Sequence, residues 1–236
     1  MDRKIFKSHV ISLTNIGEVG KEIQDLGIPV ASLEIQKRVP NPLKLISLIR
    51  QLNRGEPDIV QTWMYNSNLI GGISAWLSGT TNIVWNIRHT DFGPEDIRGT
   101  AFWSSKICTS LSRWIPTSII CCSEASKSIH IQAHYSKDKM IVIPNGVNLK
   151  TYRPEPTARQ SVLDELGLPQ KTLLIGLIAR FHPQKDHLNF IQSASMLSRD
   201  ISNAHFLLCG KGITWDNQKL NEWITDTGIG NRFHLL

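Results

Sequence analysis

The chain has 236 residues, of which 41% are hydrophobic and 19% are charged, which excludes a disordered polypeptide and fits one large or two smaller folded domains. Its formal net charge is +6, which is compatible with a phosphorylated small molecule, a nucleic acid or an anionic membrane as a partner. The Lys and Arg residues are scattered rather than grouped, so we do not expect nucleic-acid binding.

Four cysteines without Cys-x-x-Cys spacing predict neither a zinc site nor a disulfide framework, which favours a reducing compartment. No apolar run has the length of a signal peptide core or of a transmembrane helix. We therefore expect a cytoplasmic protein. Peripheral contact with the inner face of an anionic membrane is an alternative that the positive charge allows.

Short apolar runs alternate with helical periodicity through the first half of the chain. The predicted strands cover 8–13, 28–35, 58–63, 82–88, 117–122 and 139–144. The helices between them include one opened by Pro42, one over 65–78, one from about 98 to 114 and one capped by Ser123. Strict alternation predicts an α/β fold with a parallel sheet covered on both faces, and the loops that follow the strands should line one crevice.

This periodicity breaks after residue 146 and resumes near 169. Residues 147–168 contain prolines and lack sustained apolar spacing, which indicates a connector with a short helix near 162–166. Strands are then predicted over 172–179 and 204–209, with helices from about Lys185 and over 216–227. We predict one Rossmann-like domain over 1–146, the connector over 147–168, and a second α/β domain over 169–236.

Two cations lie where the strand in "GLIARFHPQKDH" gives way to a helix. Arg180 ends the strand, and Lys185 is placed in the first turn of the predicted helix. Cations are disfavoured beside the positive end of a helix dipole unless an anion fills the gap. Arg offers a planar fork for phosphate oxygens and Lys a point charge. Spacing alone is equally consistent with two solvated loop residues.

Other candidate residues follow the strands. Gly210 and Gly212 enclose Lys211 after the strand 204–209, where a tight turn is the simplest interpretation. His89 follows the strand 82–88, although a single loop histidine is more often only solvated. Tyr65 and Asn66 start a helix, where a plain helix cap is an equal alternative to ligand contact.

The remaining polar and aromatic candidates are interpreted as follows. Arg88 adds charge toward the same crevice as His89, whereas the neighbouring carboxylates Glu95 and Asp96 are more typical of a solvated turn. Trp63, Trp76 and Trp85 fall at apolar positions, so we predict core packing for all three rather than sugar stacking. These three tryptophans are therefore not counted among the site residues.

The segment "GLIARFHPQKDHLNFIQSASML" closely resembles the start of the donor domain in retaining GT-B glycosyltransferases of family GT4. The stretches "PDIVQTWMYNSNLIGGISAWLSG", "NIVWNIRHT", "ICCSEASKSIH" and "IVIPNGVNLKTYRP" are similar to further parts of that family, in the same order. The resemblance covers nearly the whole chain. It implies a GT-B-like fold of two Rossmann-like domains that face a crevice.

The resemblance also implies a function. A sugar would pass from a nucleotide-diphosphate donor to a glycan or lipid-linked acceptor, in the synthesis of cell-surface polysaccharide, with retention of configuration. Arg180 and Lys185 would hold the donor diphosphate, with Gly210 and Gly212 beside it, and His89 would lie near the transferred sugar as the catalytic candidate. The acceptor-side candidates are Tyr65, Asn66 and Arg88.

No cofactor and no metal are expected, since the sequence has no Asp-x-Asp pattern that could bridge a metal to the diphosphate. Members of the family also carry a Gly-Gly loop before the first strand seen here and a pair of Glu residues beyond the last. We therefore expect both domains to be incomplete and the fragment to be weakly active or inactive. The sugar, the base and the acceptor are not specified by the sequence. A non-catalytic nucleotide-binding or regulatory remnant and a nucleotide-sugar epimerase are the alternatives.

Overall fold

The computed structural model of the protein describes residues 2–35, 42–90 and 99–236. The chain divides into two compact units, Met1–Val147 and Asn148–Leu236. Both units consist of strands that alternate with helices, and each has its own core. None of the helices in the described ranges combines the length and the apolarity that crossing a bilayer requires.

The first unit holds six strands and five helices in its described part. In chain order they are β1 (Val10–Ser12), α1 (Gly17–Asp25), β2 (Val30–Ser32), α2 (Pro42–Gly55), β3 (Ile59–Trp63), α3 (Tyr65–Leu77), β4 (Asn82–Ile87), α4 (Thr100–Leu111), β5 (Ser118–Cys121), α5 (Glu124–Gln132) and β6 (Met140–Val142). Strands β1 and β2 form a parallel pair, and β3-β4-β5-β6 form a parallel sheet in that order. Trp85, Ile83 and Ile119 are fully buried in its core.

The second unit is a smaller version of the same architecture. Its elements are α6 (Ala158–Glu165), β7 (Leu173–Ile178), α7 (His187–Asp200), β8 (Ala204–Cys209), α8 (Gln218–Thr225) and β9 (Phe233–Leu235). The three strands are parallel in the order β7-β8-β9. Phe206 and Leu208 of β8 pack against Ile191 of α7 and against Leu220 and Ile224 of α8.

The predicted α/β class with parallel strands is confirmed, because every strand pair in the described ranges is parallel. Ser123 caps α5 as predicted, since its side chain accepts a hydrogen bond from the backbone N–H of Ser126. Within the predicted connector, α6 buries Leu163 completely.

The prediction of core packing holds for only one of the three tryptophans. Trp85 is fully buried, whereas Trp63 is 50% exposed and Trp76 is 59% exposed. Trp63 is the last residue of β3, which is an edge strand of the four-stranded sheet. An apolar side chain at this position is not necessarily covered by other residues. Trp76 lies in the last turn of α3, on a side that the core does not reach. Core packing was therefore the wrong interpretation for these two side chains.

Candidate functional site

In the second unit, the loops after β7 and β8 run side by side. The backbone N–H of Ala179 donates to the carbonyl of Cys209 over 2.9 Å, and the N–H of Phe181 donates to the carbonyl of Lys211 over 2.9 Å. The parallel ladder thus continues beyond both strands and holds the exposed Arg180 next to the segment from Gly210 to Gly212. The structure brings together two of the motifs that the sequence placed thirty residues apart.

Gly210 is required by this contact. Its φ is +146°, and a Cβ there would lie 2.6 Å from the carbonyl carbon of Ala179 and closer still to the carbonyl oxygen. Gly212 has φ of +80°, and its carbonyl accepts a hydrogen bond of 2.8 Å from Nδ2 of Asn217. The Gly-x-Gly pattern therefore serves a close approach of two backbones as well as a turn.

Lys185 does not lie in the first turn of α7, where the sequence placed it. It ends a 3₁₀ turn, Pro183–Lys185, and α7 begins at His187. Between them, Asp186 adopts a left-handed backbone conformation, and its carboxylate accepts a hydrogen bond from the N–H of Asn189. This carboxylate already compensates the positive end of the helix, so an anion would be attracted mainly by Arg180 and Lys185.

Both cations are exposed, and within the described ranges neither side chain forms a hydrogen bond or an ion pair. His187, which the sequence analysis did not single out, is the first residue of α7 and follows Lys185 by two positions. Its side chain is 2% exposed and its ring centroid is 5.4 Å from that of Phe181. Neither ring nitrogen has a hydrogen-bond partner among the described residues. A lone histidine at the start of a helix carries no sequence signal for such a position.

In the first unit, Arg88 lies at the carboxyl end of the four-stranded sheet. One terminal nitrogen, Nη1, donates to Oδ1 of Asn145 over 2.7 Å, and Nη2 donates to Oδ1 of Asn86 over 3.2 Å. The central guanidinium carbon is 4.6 Å from the ring centroid of Trp63. Arg88 thus connects side chains at the ends of β3, β4 and β6.

His89 follows Arg88 and is held from two sides. Its carbonyl accepts a 2.7 Å hydrogen bond from Oγ of Ser126, and its ring stacks on that of Tyr65 at a centroid distance of 6.0 Å. The hydroxyl of Tyr65 lies 2.7 Å from Nε2 of His130. The residues that position His89 therefore come from α3 and α5, far away in the sequence.

The geometry fixes the tautomer of His130. Its Nδ1 lies 2.7 Å from the carbonyl oxygen of Ser126, which can only accept, so Nδ1 carries the proton. Nε2 is then the acceptor for the hydroxyl of Tyr65. Burial lowers the pKa of His130, which favours this neutral form.

The predicted acceptor-side residues have different environments. Tyr65 is buried and its hydroxyl is hydrogen-bonded to His130, so Tyr65 helps to position His89 rather than contacting a ligand itself. Asn66 is half-buried, and its Oδ1 accepts a 2.8 Å hydrogen bond from Oγ of Ser104 in α4. Asn66 does not cap α3, because the N-cap residue is Met64 and it makes no side-chain capping bond. Only Arg88 presents a charged group.

The described residues contain no group of three His, Cys, Asp or Glu side chains that could hold a metal ion. All four cysteines are free. Burial raises the pKa of Cys108 to about 12 and that of Cys121 to about 11, so both remain thiols at neutral pH. Glu95 and Asp96, interpreted above as a solvated turn, lie outside the described residues.

The sequence profile of Glycosyltransferase Family 4 matches residues 2–151, which is more than half of the chain. The chain belongs to this family. Over 204 residues the Family 4 chain is 29% identical to the Escherichia coli UDP-Gal:alpha-D-GlcNAc-diphosphoundecaprenol alpha-1,3-galactosyltransferase, covering 81% of this chain and 50% of that protein. It thus spans half the length of this relative.

Solved structures show the same fold. HepE of Anabaena in complex with UDP-glucose superposes with a TM-score of 0.75 at 19% identity, covering 96% of this chain and 60% of that one. A glycosyltransferase of Rickettsia africae superposes with a TM-score of 0.72 at 16% identity, covering 97% and 59%. At these identities the likeness concerns the fold, which is that of the GT-B glycosyltransferases. The family and the fold implied by the sequence resemblance are confirmed.

Proposed function

We propose that the protein transfers a sugar from a nucleotide-diphosphate donor to a glycan or lipid-linked acceptor, in polysaccharide synthesis. Membership of Family 4 supports the transferase over an epimerase or a non-catalytic remnant. The E. coli relative is named for transfer from UDP-galactose to a diphosphoundecaprenol-linked sugar, and HepE was solved with UDP-glucose. A UDP-hexose is therefore the donor class that we propose.

The main support for the donor site is the backbone contact between Gly210 and Ala179, which places Arg180 beside the loop after β8. When the bond from sugar to diphosphate breaks, negative charge grows on the leaving diphosphate. The guanidinium of Arg180 can pair with two oxygens, and Lys185 adds a point charge. Neither cation is occupied by a protein partner in the described ranges.

His89 is proposed as the catalytic residue that contacts the transferred sugar. Its ring is packed against Tyr65 and its carbonyl is fixed by Ser126, so its position does not depend on a substrate. A histidine held in this way can accept or donate a hydrogen bond at a sugar hydroxyl. Retention of configuration and donor binding without a metal are parts of the same proposal.

The donor site is tested by calorimetric titration with UDP. Replacing Arg180 by Ala should weaken binding by about tenfold or more, because charge-assisted hydrogen bonds contribute about 1.5–3 kcal/mol. Lys185→Ala should have a smaller effect. The matched control is Arg199→Ala, which removes one exposed cation from the last turn of α7. The proposal also expects the same UDP affinity with EDTA as with Mg²⁺.

Equal UDP affinities for Arg180→Ala and Arg199→Ala would contradict the donor site. Turnover is measured separately, as the mass of a product formed from UDP-galactose or UDP-glucose and a GlcNAc diphosphate with a short alkyl chain. Transfer to this acceptor supports the enzyme. An isomerised nucleotide sugar that forms without an acceptor would instead favour the epimerase.

We also propose peripheral contact with an anionic membrane through α4. Trp103 and Ile107 lie one turn apart on this helix and are 68% and 47% exposed, and Trp114, 78% exposed, follows its end near the exposed Arg113. Tryptophan beside basic residues is typical of surfaces that bind the lipid interface. The net charge of +6 complements anionic lipid.

Co-sedimentation with vesicles tests this contact. The protein should bind vesicles that contain phosphatidylglycerol more strongly than pure phosphatidylcholine. Trp103→Ser with Trp114→Ser should reduce binding by about thirtyfold or more, at roughly 1–2 kcal/mol per lost aromatic contact. Trp215→Ser is the control, because Trp215 is also exposed, at 48%, but belongs to the second unit. If all variants sediment like wild type, the surface does not bind membranes.

A further inference from the structure

The exposed Trp63 and the guanidinium of Arg88 form a composite surface at the carboxyl end of the first unit's sheet. One face of the Trp63 ring lies 4.6 Å from the guanidinium carbon, yet 50% of the side chain remains exposed. A single exposed tryptophan is ordinary on protein surfaces. Here, however, the ring is held in place by a cation, and that cation is itself fixed.

Arg88 is fixed by two neutral amides rather than by a carboxylate. Asn86 is fully buried and donates through Nδ2 to the carbonyl of Thr62 over 3.1 Å, which leaves its Oδ1 to accept from Arg88. Asn145 accepts from the other terminal nitrogen. Within residues 2–35, 42–90 and 99–236, Arg88 has no carboxylate partner, and its Nε is buried without a hydrogen-bond partner.

These contacts leave the charge of Arg88 uncompensated and some of its N–H donors unused. A guanidinium in this state is suited to phosphate oxygens, to which the remaining N–H groups of Nη1 and Nη2 can donate. The part of the Trp63 ring that the guanidinium leaves exposed is suited to the C–H face of a pyranose, because both surfaces are apolar and flat. A ligand that matches both groups has a sugar joined directly to a phosphate.

We infer that Trp63 and Arg88 form a subsite for the sugar diphosphate end of the acceptor, with the pyranose on Trp63 and the phosphate on Arg88. This inference rests on the proposed function, and it makes the acceptor class more specific, namely a glycan whose first sugar is attached to a diphosphate. His89 directly follows Arg88, so the subsite adjoins the candidate catalytic residue. Parallel α/β sheets bind ligands at this end of their strands.

The subsite is tested by titration of the full chain with a GlcNAc diphosphate that carries a short alkyl chain. Trp63→Ala and Arg88→Gln should each weaken binding by about tenfold or more. Trp63→Phe keeps an aromatic face and should retain most of the affinity, and Arg88→Lys should recover only part of it. Trp76→Ala is the control, because Trp76 is similarly exposed but lies at the opposite end of α3.

Two partial probes separate the contributions. Binding of methyl N-acetylglucosaminide should be weakened more by Trp63→Ala than by Arg88→Gln, which removes only the support of the ring. Binding of an alkyl phosphate should be weakened more by Arg88→Gln than by Trp63→Ala. Circular dichroism melts of each variant establish that the fold is kept. If Trp63→Ala and Arg88→Gln remain folded and bind the full probe as wild type does, the inference is wrong and the pair is only a structural contact.

The donor-site titration keeps the two proposals apart. UDP affinity that depends on Arg180, together with probe affinity independent of Trp63 and Arg88, would overturn the acceptor subsite and leave the proposed function intact. Conversely, if the wild type does not bind UDP, the donor site is contradicted. Binding of the GlcNAc diphosphate probe that depends on Trp63 would still support the subsite.

Discussion

Gly210 is the residue on which the geometry of the loop after β8 depends most directly. Its backbone conformation is one that side chains rarely adopt, and its Cα packs on the peptide between Ala179 and Arg180. Two separate costs therefore oppose any larger residue: the backbone conformation and the contact with Ala179. The position of Arg180 relative to the loop after β8 follows from this single glycine.

Replacing Gly210 by Ala is expected to destabilise the second unit by at least about 2–3 kcal/mol and to reduce UDP affinity, because the two loops must separate. Gly228 provides the control. It also has a positive φ, +71°, but a Cβ there would meet nothing within 4 Å, so Gly228→Ala should cost only about 1–2 kcal/mol. Urea denaturation and UDP titration measure both effects. Equal destabilisation by the two variants would show that the loop contact contributes nothing.

The elements themselves were largely predictable from the sequence. Strand 204–209 was placed correctly to the residue, and β4 and β7 were each predicted within one residue of their ends, because buried parallel strands are continuous apolar runs. The start of α7 was less predictable. Asp186 is the N-cap, and its left-handed backbone separates α7 from the preceding 3₁₀ turn that holds Lys185, a conformation that spacing does not encode.

The packing of these elements was not predictable in the same way. Trp63 and Trp85 are both strand residues, yet only Trp85 is buried. Trp85 pairs with the buried Thr62, whereas Trp63 is the last residue of the edge strand β3 and lies on the opposite face of the sheet. Strand order depends on contacts between distant segments. The hydrogen bond between Tyr65 and His130 likewise joins residues 65 positions apart, and no local sequence pattern predicts it. The positions of the motifs were thus predictable from the sequence, whereas the contacts that hold them in place were not.

Each of the two units contains histidines that burial holds neutral. In the first unit His130 bonds Tyr65 and Ser126, and in the second unit Nδ1 of His205 lies 2.9 Å from Nε2 of His234, across β8 and β9. Burial lowers the pKa of all three histidines in the folded protein. In the unfolded chain their pKa returns to about 6.5, so the unfolded state binds more protons in acid.

Both units should therefore be most stable above about pH 6.5 and lose stability as the pH falls below that value. Urea denaturation at pH 7.5 and 5.5 measures the loss, and amide hydrogen exchange assigns it to each unit.

Gln at position 130 can accept from Tyr65 and donate to Ser126 without titrating. His130→Gln should consequently reduce the acid sensitivity of the first unit and leave that of β8 and β9 unchanged. His9→Gln is the control at an exposed histidine of the same unit. An unchanged pH dependence in His130→Gln would mean that this buried imidazole does not limit stability in acid.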